Sequence, residues 1–225
     1  MFEYEEACPI SKASSILCER WTLQILREMF MGATRFNEFR TYLPKMSPSL
    51  LNARLKMLEE QGLIMKKKLP EKKNYEYVLT PSGNELKPVL KEIGRWGMKW
   101  VFDSMAPEEL NFSVLVRDFA TKLNMEYFPG ERSTLQFNLL DDDQPLKEFV
   151  HISKGEFQLC SENSGFDVDI YVSADIAAYG AVWFGKLSIV DAMKTKKLSI
   201  VGANIYVQQP SKWMGLAIFL VWINI

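Results

Sequence analysis

The chain has 225 residues, long for one small domain and suited to two modest ones. Its formal net charge of −1 conceals a division. Residues 1–105 hold 17 Lys/Arg against 13 Asp/Glu and residues 106–225 hold 10 against 15, so a polyanionic partner is expected to prefer the first part. Three cysteines make no disulfide framework and one histidine makes no metal site, so neither a metal nor a cofactor is expected.

The first residues, Met1 to Glu6, are acidic and lack a basic leader and an apolar run, which predicts no signal peptide and a cytoplasmic protein. Cys8 stands beside Pro9 at the mouth of a first helix, where the helix end favours a thiolate, although a structural cysteine at a dimer contact is the reading preferred over a reactive thiol. Cys18, following Ile16-Leu17, is expected in the core. Trp21 to Met31 is an apolar-periodic helix ended by Gly32, with Leu23, Leu26 and Phe30 stacked on one side. A second helix begins at Thr34 and buries Phe36, Phe39 and Leu43 before Pro44 stops it. The short connection Pro44-Lys45-Met46 permits a steep angle to the next helix.

That next helix carries the strongest signal. Ser47 caps it and Pro48 occupies the first helical position, where a missing N–H costs nothing. Leu51, Leu55 and Leu58 form the buried stripe, while Ser49, Asn52, Ala53, Lys56 and Glu60 face outward. A small, polar outer face suits entry into a DNA major groove, with Asn52 matched to adenine, Lys56 to guanine or phosphate, and Ser49 to either. Arg54 lies too near the stripe for easy base reading and is expected to orient a neighbour or touch phosphate. Gly62 ends the helix. Two strand segments follow, Leu63–Leu69 and Asn74–Leu79, with Lys66, Lys67, Lys68, Lys72 and Lys73 on or beside the hairpin, suited to phosphate contact. Pro81 then opens a long helix in which Leu86, Val89, Leu90, Ile93, Trp96, Trp100 and Val101 recur at three and four residues.

These segments resemble the HxlR-type winged helix-turn-helix transcriptional regulators. The carrying residues are Cys8-Pro9, Arg20-Trp21-Thr22, Leu26, Gly32, Arg35-Phe36, Glu38-Phe39, Ser47-Pro48, Leu50-Leu51, Arg54-Leu55, Leu58-Glu59, Gly62-Leu63 and Tyr77 to Gly83, within residues 8–97. The resemblance implies a dimeric regulator, often a repressor, of operator DNA. The helix from Ser47 to Glu60 is then the recognition helix and the hairpin the wing, and Arg35 is placed for a backbone contact. Leu86, Leu90, Ile93, Trp96 and Trp100 are the candidate dimerisation residues, setting two reading helices one DNA turn apart. In some members of the family a cysteine at the position of Cys8 senses oxidants or electrophiles.

After a joint at Met105-Ala106-Pro107, Glu108 to Leu123 reads as a helix with Leu110, Val114, Phe119 and Leu123 inside. Alternation then predicts strands in which Leu135, Phe137 and Leu139, Phe149 with His151, Phe157 with Leu159, and Val168 with Ile170 and Val172 share faces, forming a one-sided antiparallel sheet. Ser173 is expected to cap a helix over Ala174–Tyr179, and a second helix spans Lys186–Met193. Leu198–Val201 and Asn204–Gln208 are expected to close the sheet. Trp213 to Ile225 is apolar but too short to span a bilayer. Asp167-Val168, Ser173, Gly185, Leu198-Ser199-Ile200 and Gly202 resemble the sterol carrier protein type 2 fold, which implies an apolar tunnel between sheet and helices. Phe137, Phe149, Val168, Ile170, Trp183, Phe184 and Leu187 are its candidate wall.

The expected protein is α+β, with a winged DNA-binding and dimerisation domain at 1–104 and a sterol-carrier-like ligand domain at 105–225. The function expected is a dimeric DNA-binding regulator, a repressor controlled by an apolar small molecule. The alternative is a hydrophobic-ligand carrier or enzyme whose first domain only dimerises. No paired carboxylates or nucleophile beside His151 support catalysis.

Overall fold

Apolar residues gather into two separate cores, one built on Ile25, Leu26, Phe39, Leu51, Leu55 and Leu58 and the other on Phe119, Phe137, Tyr179, Trp183 and Trp213. The computed structural model describes residues 4, 6–68, 75–101, 106–141, 146–163 and 165–215. The chain divides into two compact units, Met1–Gly94 and Arg95–Ile225.

The first unit runs α1 (Pro9–Leu17), α2 (Thr22–Phe30), α3 (Phe36–Tyr42), α4 (Pro48–Glu60), β1 (Ile64–Lys68), β2 (Tyr75–Leu79), α5 (Pro81–Asn84) and α6 (Lys87–Trp100), whose last turns enter the second unit. In α2 the buried stripe is Thr22, Ile25, Leu26 and Met29, a rotation away from the expected Leu23, Leu26 and Phe30. Trp21 causes it by adopting a left-handed conformation (φ 77°), so the helix begins one residue late and turns Ile25 inward. Helix α3 starts at Phe36 rather than Thr34, because Glu38 accepts hydrogen bonds from the backbone N–H groups of Thr34 and Arg35 at 2.8 and 2.9 Å and satisfies its first turn. Cys18 is exposed at the end of α1, not in the core, since Ser15 is the buried residue of that helix.

Gly62 ends α4 at φ 68°, a conformation that only glycine takes without strain, and lets the chain turn into β1. The β1 and β2 strands pair antiparallel from Ile64 opposite Leu79 to Lys68 opposite Tyr75. At their base a Cβ on Gly83 would meet the carbonyl oxygen of Leu63 at 2.0 Å, so close an approach that no side chain fits. The expected single helix from Pro81 is broken: Thr80 caps the short α5, and α6 starts afresh at Lys87.

The second unit contains α7 (Phe112–Ala120), β3 (Ser133–Leu139), β4 (Lys147–Ser153), β5 (Glu156–Cys160), β6 (Ile170–Ala174), α8 (Ile176–Trp183), α9 (Ile189–Lys194), β7 (Leu198–Gly202), α10 (Asn204–Gln208) and α11 (Pro210–Trp213). Its five-stranded sheet has the order β5-β4-β3-β6-β7. The sheet is mixed, not antiparallel: β3 and β6 run parallel, joined through a crossover after the β3–β4–β5 meander.

Several expected boundaries move for local reasons. Asn111 caps α7, so the stretch from Glu108 is a short 3-10 turn and then a helix that buries Phe112, Leu115, Val116 and Phe119. Ala174 completes β6, and Asp175 rather than Ser173 caps the following helix. Ser188 caps α9, which therefore starts after Lys186. Asn204–Gln208, expected as a strand, is helical. Val168 precedes the strand that begins at Ile170.

Candidate nucleic-acid interface

Helix α4 is anchored by its apolar stripe, with Leu51, Leu55 and Leu58 fully buried. The Ser47 hydroxyl accepts from the N–H of Leu50 at 3.3 Å and fixes the start of the helix. Ser47, Ser49, Asn52 and Lys56 are all exposed, and the last three lie on the outer face away from the stripe. Lys56 makes a surface ion pair with Glu60, 3.5 Å away, which leaves its amine able to swing to another anion. Arg35 is exposed at the N-terminus of α3.

Arg54 stands apart from these. Its guanidinium donates to the carbonyl of Arg20 at 2.9 Å and to Oε2 of Glu19 at 2.6 Å, so it belongs to the framework of the helix rather than to its outer face. Glu19 was absent from the sequence reading because the pair is separated by 35 residues.

The hairpin is tied to this framework. The N–H of Tyr77 donates to the carbonyl of Thr34 at 2.7 Å, and the hydroxyls of Thr80 and Ser82 both donate to the carbonyl of Gly62, at 2.6 and 2.9 Å. Lys66, Lys67 and Lys68 are exposed along β1. Lys66 places its amine 4.5 Å from the ring centre of Tyr75 and 5.8 Å from that of Tyr77, a cation–π arrangement that orders the side chain. Lys67 reaches Glu76 at 3.9 Å. Lys72 and Lys73 lie outside the described residues.

The apolar residues of α6 separate into two sets. Leu86, just before it, and Leu90 are half-buried and pack against the core of their own unit. Ile93, Trp96 and Trp100 remain 47, 61 and 66% exposed along one stripe. Cys8 occupies the position just before α1, and its thiol is drawn below its ordinary value by the N–H of Ser11 first, then by the Ser11 hydroxyl and the N–H of Ile10.

In the second unit the expected ligand wall does not form a single surface. Phe137, Ile170 and Trp183 are buried inside a packed cluster in which Phe119 lies 5.1 Å from Trp183 and 6.2 Å from Phe137, centre to centre. Phe184 and Leu187 are partly buried at its margin. Phe149 faces the other way. The register sets Leu135 opposite Val150 and Gln136 opposite Phe149, so Val150 and Ile152 enter the core while Phe149 and His151 take the opposite face. There His151 stacks on Phe149 and meets the edge of Phe166, with Nδ1 3.1 Å from the Thr134 hydroxyl. Burial, then the charge of Arg132, lowers its pKa. A cleft of about 500 Å³ opens elsewhere, between the start of α7 and the start of β4; it is lined by Asn111, Ser113, Leu146 and Glu148 among others and by none of the expected wall residues.

A helix-turn-helix followed by a basic hairpin is thus present in residues 22–79, and comparison with known proteins assigns it. The HxlR-like helix-turn-helix family matches residues 16–105. Over 98 residues the chain is 39% identical to the HTH-type transcriptional regulator YvaP of Bacillus subtilis (strain 168), covering 43% of this chain and 91% of that protein. The chain belongs to the HxlR-like helix-turn-helix family. An HTH-type transcriptional regulator of Synechocystis sp. is 36% identical over 101 residues, covering 44% of this chain and 75% of its own. The HTH-type transcriptional regulator YodB of Bacillus subtilis is 34% identical over 91 residues, with 40% and 81% covered. This HxlR-like chain is a DNA-binding transcriptional regulator. Among the described residues no group of three or more His, Cys, Asp or Glu is placed to hold a metal ion, and no helix is long and apolar enough to cross a membrane.

Proposed function

We propose that this DNA-binding transcriptional regulator acts as a dimeric repressor that reads operator DNA with α4 and grips its backbone with the β1–β2 hairpin. The observation that carries the reading is the exposed strip Ser49, Asn52 and Lys56 on the face of α4 opposite its buried stripe. Asn52 is the adenine reader, Lys56 and Ser49 the flanking contacts, and Ser47 and Arg35 hold phosphate. The wing lysines Lys66, Lys67 and Lys68, with Lys72 and Lys73, supply attraction that is independent of base sequence. Ile93, Trp96 and Trp100 give α6 an apolar stripe for a second copy, and a two-fold pair sets two α4 helices against successive turns of one groove face.

In this reading residues 1–104 bind DNA and dimerise, and residues 105–225 form an effector domain resembling the sterol carrier protein type 2 fold. A five-stranded sheet with its apolar face covered by α7, α8 and α9 supports that resemblance. An apolar effector there would part the packing around Phe137, Ile170 and Trp183, with Phe184 and Leu187 at its edge, and would act only through a different affinity for the DNA-bound and free states. The lowered pKa of Cys8 supports a second input, attack of its thiolate on an electrophile.

The test is enrichment of bound duplexes from a random-sequence pool by the full-length protein. One preferred, two-fold symmetric sequence is expected, with Asn52→Ala losing preference at one position in each half-site. Equal binding of all sequences by the wild-type protein would overturn the reading.

A further inference from the structure

Arg54 sits on α4 between the buried stripe and the outer face, two residues from both Asn52 and Lys56. It is held from outside the helix at two points, the carbonyl of Arg20 and the carboxylate of Glu19. Both side chains of the ion pair are largely sheltered, with 18 and 20% of their surface exposed. Glu19 and Arg20 lie in the turn that links α1 to α2, so this clamp joins that turn to the middle of the recognition helix.

A charged fork closed on two acceptors of a different element fixes the rotation of α4 about its own axis. On a helix of the usual radius of about 5–6 Å with its side chains, a rotation of about 10° moves a side-chain tip by about 1 Å. Such a shift is enough to spoil a two-point hydrogen bond to a base edge.

We propose that Glu19 is a positioning residue for DNA recognition, acting through Arg54 to set the angle at which Asn52 and Lys56 meet the groove. The inference rests on α4 being the reading helix. It reverses the ordinary electrostatic expectation. Removing an acidic group from a surface that approaches a polyanion should raise affinity, whereas removing Glu19 lowers it for the preferred sequence.

The experiment measures binding of full-length wild type, Glu19→Gln, Arg54→Lys and Glu19→Gln/Arg54→Lys to the duplex enriched from a random pool and to a shuffled duplex, across a salt series. Glu19→Gln is expected to weaken binding to the enriched duplex about tenfold, the scale of one misaligned base contact, and to leave the shuffled duplex unchanged. Arg54→Lys keeps the charge but cannot span both acceptors, so it loses the same preference, and the double variant is no worse than either. The slope of log affinity against log salt stays at the wild-type value, whereas loss of a phosphate contact lowers it by about 1.

Unchanged or tighter binding of Glu19→Gln to the enriched duplex overturns the proposal, as does additivity in the double variant. Equal loss on both duplexes also overturns it, and a thermal melt shows whether unfolding is the cause. Asn52→Ala, run beside these, separates the two failures. If it binds the enriched duplex as the wild type does, α4 is not the reader; if it fails while Glu19→Gln does not, only the positioning role is lost.

Discussion

At the scale of single residues, charge and burial set two measurable properties. The Cys8 thiolate is favoured by the first turn of α1, whereas exposed Cys18 closes the other end of that helix. Cys8 should therefore alkylate faster than Cys18 with iodoacetamide at neutral pH, its rate rising with pH below the ordinary thiol range; mass mapping at several pH values would read this, and equal rates would refute it. His151 gives the opposite kind of group. Its Nε2 is buried with no hydrogen-bond partner among the described residues, Arg132 lies near, and Asp169 binds the N–H of Thr134 beside it. Because the folded pKa lies below the unfolded one, the folded form takes up its proton later as pH falls. The associated stability is complete above the unfolded value, about 6.5, and is lost below it. Urea unfolding of the wild type should show this loss as the pH falls below about 6.5, and His151→Phe should flatten the dependence.

Among the elements, α4 and the β3–β4 pair show why some of this protein was legible in its sequence and some was not. Helix α4 is bounded by Ser47-Pro48 and Gly62, and only one rotation buries Leu51, Leu55 and Leu58 together, so its outer face followed from spacing alone. In β4 the apolar residues Phe149, Val150 and Ile152 occupy both faces, and spacing could not choose between them; pairing with Leu135 chose Val150 and Ile152. Asn204–Gln208 carries Ile205, Tyr206 and Val207, residues common in strands, yet Tyr206 packs with Phe128 and Trp213, and that packing outweighs local preference. The Glu19–Arg54 clamp was illegible because nothing local connects its partners. The wing offers its own test: Lys66→Gln and Lys68→Gln should each lower affinity similarly for preferred and shuffled duplexes and reduce the salt slope by about 1, while Asn52→Ala should act on the preferred duplex alone. A sequence-selective loss from the wing variants would reassign β1 as a base reader.

For the whole molecule, the open stripe on α6 makes the clearest demand. Trp96→Glu or Trp100→Glu should shift the protein from dimer to monomer in sedimentation and abolish binding to the two-fold duplex, while the far-ultraviolet spectrum stays unchanged. A wild-type monomer would remove α6 from assembly. The second unit is closed by its own aromatic core, and Phe119→Ala should cost it about 3–5 kcal/mol in a denaturant titration. Its mixed sheet has another consequence. Since β6 returns to lie beside β3, the chain on either side of the 161–169 connection is held together by central strand pairing and by the bond from Thr134 N–H to Asp169. A protease cut within that connection would leave two fragments still joined as one particle, and the same cut made in the gene would yield halves that reassemble when expressed together, a natural split point in the regulator.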